Sequence, residues 1–313
     1  MCGICGLFQS NQPVEEATLK RMSDRIAHRG PDDSGMYFSP DGRAGLGFRR
    51  LAIIDLSPTG HQPMTNEDGR LWIVFNGEIY NYPDLRKELA RAGHEFRSTS
   101  DTEVVIHGYE EWGAGVLSRL RGMFAFALWD ERNHALFAAR DRLGIKPLHY
   151  YWDGERFAFA SEIKALLTLP RLKTDLDHSA IWDYFTYLYV PTPKTVYKFI
   201  RKLPPAHYLT FRITGGADSP VRPFGEPESS PLQIKQYWDV TRWGNSTLSR
   251  ADAADAVREK LRETVQAHLI ADVPVGVLLS GGLDSSAVTA FASPELQTSN
   301  FKLQTSNFKL QTP

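Results

Sequence analysis

The apolar run Val273-Pro274-Val275-Gly276-Val277-Leu278-Leu279 leads directly into Ser280-Gly281-Gly282-Leu283-Asp284-Ser285-Ser286, and residues 284–292 then read as a helix. A short continuous apolar run suits a buried parallel strand. Strand, glycine turn and helix in that order bring free backbone N–H groups and the positive end of a helix to one point, which is what a phosphate group needs. The loop lacks the Gly-Lys-Ser/Thr ending of a Walker loop. This feature asks for α/β layering around it.

Upstream the order is different. Residues 4–9, 44–50, 71–75, 124–129, 135–139 and 157–160 are short apolar or alternating runs separated by Gly, Asn and Asp, the pattern of strands. Helical patterns intervene at 83–92, after the potential cap Asn81, and at 101–112, where Ser100-x-x-Glu103 predicts a capping box. Elements in runs, without strict βαβ alternation, favour α+β or a layered sandwich. Residues 213–231 are crowded with Gly, Ser, Pro and Glu and read as a linker. Beyond them Val257, Leu261, Val265 and Leu269 mark an amphipathic helix over 251–271. These breaks predict a first domain over 2–211, a linker over 212–236 and a second domain over 237–295. In the tail, 296–313, the segment Leu296-Gln297-Thr298-Ser299-Asn300-Phe301-Lys302 recurs at 303–309. An in-frame duplication or a damaged reading frame accounts for it, and poor order is expected there.

Composition narrows the function classes. At 313 residues about two domains are expected. A formal net charge of −1 offers no field for nucleic acid or an anionic membrane. Two cysteines make no disulfide framework and fit a reducing compartment. The N-terminus lacks the basic region and cleavage site of a signal peptide, and no apolar run is long enough to span a membrane. The expectation is a cytoplasmic protein.

Cys2 is separated from a free α-amino group by Met1 alone. If Met1 is removed, the amine of Cys2 lies beside its own sulfur with an ordinary pKa of about 7.7–8.0, suited to take the thiol proton. A terminal cysteine can also be incidental, and Cys2-x-x-Cys5 can be a redox pair. Against the redox reading, the pair lies inside a strand-like run and does not open a helix.

Seven further motifs follow in order: His28-Arg29-Gly30-Pro31-Asp32; Arg50-Leu51-Ala52-Ile53-Ile54-Asp55; Phe75-Asn76-Gly77-Glu78-Ile79-Tyr80-Asn81; Ser98-Thr99-Ser100-Asp101-Thr102-Glu103; Gly122-Met123-Phe124-Ala125-Phe126-Ala127; Arg140-Asp141-Arg142 with Gly144-Ile145-Lys146-Pro147-Leu148; and Ala160-Ser161-Glu162 with Lys164-Ala165-Leu166. With Met-Cys-Gly-Ile-x-Gly at the start, the pattern resembles class II glutamine amidotransferases, the N-terminal-nucleophile glutaminases. With the glycine loop it most resembles glutamine-hydrolysing asparagine synthetase of the bacterial type. The resemblance implies an N-terminal-nucleophile αββα sandwich followed by the beginning of an α/β PP-loop ATP pyrophosphatase-type synthetase domain. It implies catalysis by Cys2, with Asn76 and Gly77 as an oxyanion hole, although an Asn-Gly pair is equally a turn signal. Arg50 suits a carboxylate because a guanidinium forks onto it; otherwise it is a surface arginine. The backbone of Leu51, Ala52, Ile53 and Ile54 is implied to line the same glutamine pocket. Glu78 and Asp101 are implied to meet the substrate ammonium, Asp101 being otherwise a helix N-terminal charge. His28 is not taken as the base, since the terminal amine fills that role.

For the glycine loop the resemblance implies ATP contacts from Leu279, Ser280, Gly281, Gly282, Asp284, Ser285 and Ser286, with Asp284 helping to hold Mg²⁺. ATP and Mg²⁺ serve as substrate and activator, and no prosthetic group is expected. The implied enzyme is a carbon–nitrogen ligase taking L-glutamine, L-aspartate and ATP, with homodimerisation open and no nucleic acid or membrane partner. Asparagine synthetases carry a much longer synthetase domain, so the expectation here is a glutaminase half with a truncated synthetase half. Two alternatives stand beside it: an amidotransferase for another carboxylate acceptor, and a non-catalytic, glutamine-binding relic. Ala206 stands where the pattern expects glycine.

Overall fold

A computed structural model describes residues 1–213, 231–242 and 247–298 of the chain. Most of the expected linker (214–230) and of the repeated tail (299–313) lie outside the described residues. The chain divides into two units, Met1–Arg242 and Trp243–Pro313.

Two antiparallel sheets form the centre of the first unit. One has the order β10-β8-β9-β1-β3-β2, built from β1 (Gly3–Gln9), β2 (Asp33–Phe38), β3 (Ala44–Arg50), β8 (His149–Trp152), β9 (Arg156–Ala160) and β10 (Ile200–Lys202). The other has the order β12-β11-β7-β6-β5-β4, built from β4 (Met64–Thr65), β5 (Leu71–Ile79), β6 (Gly122–Asp130), β7 (Ala135–Arg140), β11 (His207–Arg212) and β12 (Leu232–Gln236). Helices α1 (Glu16–Asp24) and α5 (Ile163–Leu166) cover the first sheet; α2 (Tyr82–Arg91), α3 (Thr102–Trp112) and α4 (Val116–Arg119) cover the second. Helix α6 (His178–Tyr187) exposes Trp182 and Phe185. The result is the expected αββα sandwich.

Period-2 alternation distributes the side chains. On β1, Ile4 and Phe8 enter the core between the sheets, where Phe8 lies 5.3 Å from Trp129 and 6.2 Å from Phe211 by ring centroids. Cys5 and Leu7 face the other way, against Leu19 and Met22 of α1. Cys2 packs against the inter-sheet core while Cys5 sits in the helix-side core, so the two thiols face opposite sides of one sheet, and both are free. Burial pushes the Cys5 thiol up to about 12. These positions do not form a redox pair.

Three local expectations change. Strand β5 does not stop at Phe75: it pairs with β6 from Leu71 opposite Asp130 to Ile79 opposite Gly122. Asn76-Gly77 is therefore strand, not turn, and only glycine fits at 77, where a Cβ would strike the Met123 carbonyl. At the start of α3 the Glu103 carboxylate reaches back past Ser100 to the N–H groups of Arg97 (2.7 Å) and Ser98 (2.9 Å), while Ser100 Oγ accepts from the Thr102 N–H. The capping device is thus spread two residues upstream of the expected box. Finally, Leu232–Gln236, expected as linker, forms β12 and pairs with β11 from His207 opposite Gln236 to Phe211 opposite Leu232, because the edge of β11 offers unpaired N–H and C=O groups that a polar linker can satisfy. Ala206 has φ of 60°, the left-handed region where glycine is the easier residue.

The second unit holds α7 (Arg250–Ala267) and α8 (Leu283–Thr298), with Val265, Leu269, Val277, Phe291 and Ala292 packed together. Residues 273–279 form no strand. A parallel strand exists only by pairing, and among the described residues this unit contains no other strand to pair with. No described helix is long and apolar enough to cross a membrane.

Candidate active site

The first unit contains a cavity of about 250 Å³ lined by Met1, Cys2, Arg50, Leu51, Ile53, Ile54, Asn76, Gly77, Glu78 and Asp101. All but one of the residues expected at the glutamine site and its catalytic group therefore share one cavity; Ala52 alone does not line it. They come from four chain segments, and each segment is held by a bond the fold supplies.

The N-terminus is tied down by three motif residues. Arg29 Nε donates to the Cys2 carbonyl at 2.9 Å and its Nη1 to Glu162 Oε1 at 2.9 Å. Ser161 accepts from the Ile4 N–H through Oγ (3.0 Å) and donates its own N–H to the Ile4 carbonyl (2.9 Å). His28 pairs with Glu162 at 2.9 Å and does not line the cavity. Cys2 Sγ lies 3.6 Å from the Leu51 carbonyl. Burial pushes the Cys2 thiol up and the Met1 α-amine down. A thiol raised in this way is protonated at neutral pH and needs a base to become a nucleophile.

The 50–54 wall is held by Asp32, whose carboxylate accepts the Ala52 N–H at 2.9 Å. The Ala52 N–H is turned to this clamp, and Ala52 does not line the cavity. Arg50, buried, donates from Nη1 to the Ser57 carbonyl at 3.2 Å and from Nη2 to the Asp55 carbonyl. Gly60 is required beside it, since a Cβ there would strike Nη2. Asp55 accepts from Ser57, Thr59 and Thr99, tying this loop to the segment that ends at Asp101.

Strand β5 supplies the cavity floor. Beyond the two residues of β4 its edge is uncovered by backbone, and side chains take over. Gln62 Oε1 accepts the Phe75 N–H (2.7 Å) and Asp101 Oδ2 accepts the Ile79 N–H (2.8 Å). By the two-residue alternation the Gly77 N–H points the same way, between these two and toward the cavity. Asn76 is 1 % exposed, and its Nδ2 is a buried donor with no hydrogen-bond partner. A buried orphan donor is expensive, on the order of 1–3 kcal/mol, unless something else accepts from it. Asp101 is fully buried at the N-terminus of α3, and burial, reinforced by the charge of Glu78, pushes its carboxyl up to about 7.

Sequence reasoning missed Gly60, Gln62 and Lys146, which also line the cavity. Gln62 and Gly60 carry no catalytic signature. Lys146 lay in plain view in Gly144-Ile145-Lys146-Pro147; the Asp141 carboxylate fixes its backbone by accepting the Lys146 N–H at 2.9 Å, and burial holds its ammonium below the ordinary lysine value.

The glycine loop stands by itself in the second unit. Gly281 has φ of 84°, Ser280 Oγ and Ser285 Oγ are 3.0 Å apart, and Ser286 N–H opens α8 by bonding the Gly282 carbonyl at 3.0 Å. Leu279, Asp284 and the loop glycines are exposed. The loop and helix order holds; the preceding strand does not.

Residues 1–220 match the family model described as a glutamine amidotransferase domain, and residues 256–312 match the one described as asparagine synthase. Asparagine synthetase [glutamine-hydrolyzing] 3 of Bacillus subtilis (strain 168) is 42% identical over 298 residues, covering 94% of this chain and 45% of that protein. Asparagine synthetase [glutamine-hydrolyzing] 1 of the same organism is 38% identical, covering 95% and 45%. The chain thus spans about half the length of the curated relatives it matches. Among solved structures, glutamine phosphoribosylpyrophosphate (PRPP) amidotransferase from B. subtilis, complexed with ADP and GMP, aligns with a TM-score of 0.52 at 18% identity, over 75% of this chain and 49% of that one. That likeness concerns the fold alone.

Proposed function

Because this chain belongs to the glutamine amidotransferase family, we propose that its cavity hydrolyses the side-chain amide of L-glutamine to glutamate and ammonia. The observation that carries the reading is the orphaned Asn76 Nδ2, buried in a cavity that also holds the Cys2 thiol. Such a donor is what an amide oxygen accepts from as it becomes an oxyanion.

Removal of Met1 leaves the α-amine on Cys2. The amine takes the thiol proton, and the sulfur attacks the amide carbon of glutamine. The carbonyl oxygen becomes an oxyanion and accepts from Asn76 Nδ2 and the Gly77 N–H. As the C–N bond breaks, the proton held by the amine passes to the departing nitrogen and ammonia leaves. A γ-glutamyl thioester remains on Cys2; water, deprotonated by the same amine, cleaves it to glutamate and free thiol. Arg50 receives the substrate carboxylate, and Asp101 with Glu78 receives its ammonium. The backbone of Leu51, Ile53 and Ile54 encloses the methylenes.

The relatives' names support extending the reading to ammonia-dependent amidation of L-aspartate with ATP. In that extension Ser280, Gly281, Gly282, Ser285 and Ser286 hold the pyrophosphate, and Leu279 lies by the nucleoside. The open backbone around Gly281, with nothing within 4 Å of an added Cβ, leaves room for phosphate oxygens. Mg²⁺, which binds through one or two carboxylates plus phosphate oxygens, takes Asp284 as its protein ligand. A reducing, cytoplasmic setting suits the two free thiols, and pairing of two copies is an open extension of the same reading.

Intact mass should be lower by one methionine. Glutamine should accumulate a Cys2 thioester that denaturation at low pH traps. A retained Met1, or glutamate release undiminished in C2A, would overturn the proposal.

A further inference from the structure

Between the β4–β5 turn, the end of α2 and the middle of α3, four side chains each bring one donor atom to a common point. Glu67, His94, His107 and Glu110 place these atoms all within 4.8 Å of one another. We infer that these four residues form a binding site for one tetrahedral zinc ion, separate from the glutamine cavity.

The distances carry the geometry. His107 Nδ1 lies 3.1 Å from Glu110 Oε2 and 3.5 Å from Glu67 Oε1; His94 Nδ1 lies 3.8 Å and 3.7 Å from the same two carboxylates. Four nitrogen and oxygen donors held about 2.0–2.1 Å from a tetrahedral zinc stand roughly 3.4 Å apart. The four edges scatter around that value. His107 and Glu110 are three residues apart on α3 and so share a face.

The surrounding shell is the second observation. A ligating imidazole normally gives its outer N–H to a carboxylate, which fixes the ring and its tautomer. Here a carboxylate stands near each outer nitrogen: His107 Nε2 is 3.8 Å from Glu103 Oε1, beyond hydrogen-bond reach, and His94 Nε2 is 3.5 Å from Glu111 Oε2. His107 is 1 % exposed with no hydrogen-bond partner at Nε2, and its ring is flanked by His94 and Phe96 at 4.9 and 4.8 Å. The carboxylates are oriented too: Glu110 Oε1 accepts from Asn66 Nδ2 at 2.8 Å, and Glu67 Oε1 accepts the Glu95 N–H at 3.1 Å.

The competing occupant is the proton. Without a metal, protonated imidazoles neutralise the same carboxylates, His107 Nδ1 lying 3.1 Å from Glu110 Oε2. Zinc must therefore displace protons, which leave to solvent as the imidazole lone pairs turn to the metal. All four donors are protein groups, as in a closed structural site. It would brace α3, whose first residues bound the glutamine cavity.

The full chain, dialysed against chelator, is titrated with zinc sulfate against a fluorescent zinc indicator, with proton release, melting temperature and the cobalt(II) visible spectrum read in parallel. One zinc per chain is expected, with proton release, a higher melting temperature and the intense d–d bands of tetrahedral cobalt. C2A should keep the ion, which separates this site from the catalytic thiol. H94A and E110Q, both at the cluster rim, should each weaken binding at least about tenfold, and E111Q about tenfold through the His94 ring. Absence of stoichiometric zinc in the wild-type chain, loss of zinc in C2A, or undiminished binding in folded H94A and E110Q overturns the inference. A glutaminase that works without zinc leaves the proposed function intact.

Discussion

The Cys2 cavity and the 280–286 loop are both marked in the sequence by a few small or polar residues, yet the fold treats them differently. The cavity draws on four chain segments, and each is fastened from behind: Arg29 and Ser161 on the N-terminus, Asp32 on the 50–54 wall, Gln62 and Asp101 along the edge of β5, and Asp55 on the segment that ends at Asp101. The loop is fastened by its own serines and the first turn of α8, while Leu278 and Leu283 around it are 94 % and 91 % exposed. A motif identifies a kinship; a site needs the second layer that holds the motif still.

The widest gap between the regions should appear in glutamine hydrolysis. Cys2→Ala removes the proposed nucleophile, and kcat should fall by a factor on the order of 10⁶, the scale seen when an activated nucleophile is lost. Gly281→Ala in the loop should leave glutamate release within about twofold. Steady-state glutamate assays on the two variants decide it; equal losses would erase the contrast between the two regions. The next largest effect is on stability. Phe8→Ala empties the point where Trp129, Phe157, Phe159 and Phe211 meet, and should cost about 3–5 kcal/mol in denaturant unfolding.

Asn76→Ala tests whether the orphan donor is catalytic. Loss of one oxyanion donor costs about 2.7–4 kcal/mol, a drop in kcat of roughly 10²–10³ with KM little changed. If Asn76 were only structural, KM and melting temperature would move together and kcat would hold.

Much of this was legible beforehand because period and motif agreed. The six expected strand runs of the first unit lie near the observed strands, since a strand buried on both faces is an almost continuous apolar run. Asn76-Gly77 defeats local reading: the pair has turn chemistry, but nine residues of pairing with β6 outweigh it. Residues 273–279 fail the opposite way, as a strand-like run with no partner among the described residues. Gln62 and Gly60 were invisible because their work, covering a sheet edge and making room for Arg50, depends on contacts that no short motif encodes.

Asp101 gives a smaller, pH-dependent effect. Its carboxyl is pushed up to about 7 by burial and by Glu78, against about 3.9 in an unfolded chain. In the proposed site the substrate ammonium needs the ionised form, so KM for glutamine should rise by up to about tenfold per pH unit below pH 7 and level off above it. Stability runs the other way. Between about pH 4 and 7 the folded chain holds a proton that the unfolded chain has lost, so the Asp101 contribution is greatest at low pH and fades as pH rises through 7. Asp101→Asn should flatten the KM profile at a high value and remove that part of the stability slope. A wild-type KM independent of pH between 5.5 and 8 would remove Asp101 from the ammonium site.

The smallest effect is the sharpest test of the contrast. Sequence pattern alone places Leu278 in a buried strand with Val275 and Val277. Its 94 % exposure says that it has buried almost nothing. Removing a side chain that is already in water changes stability by no more than about 0.5 kcal/mol, and Leu278→Ala should fall within that limit in the full chain. A loss of about 2–5 kcal/mol, the range for buried leucine, would mean that 273–279 pairs as a strand after all, and the loop would then stand on a supporting layer as the Cys2 cavity does.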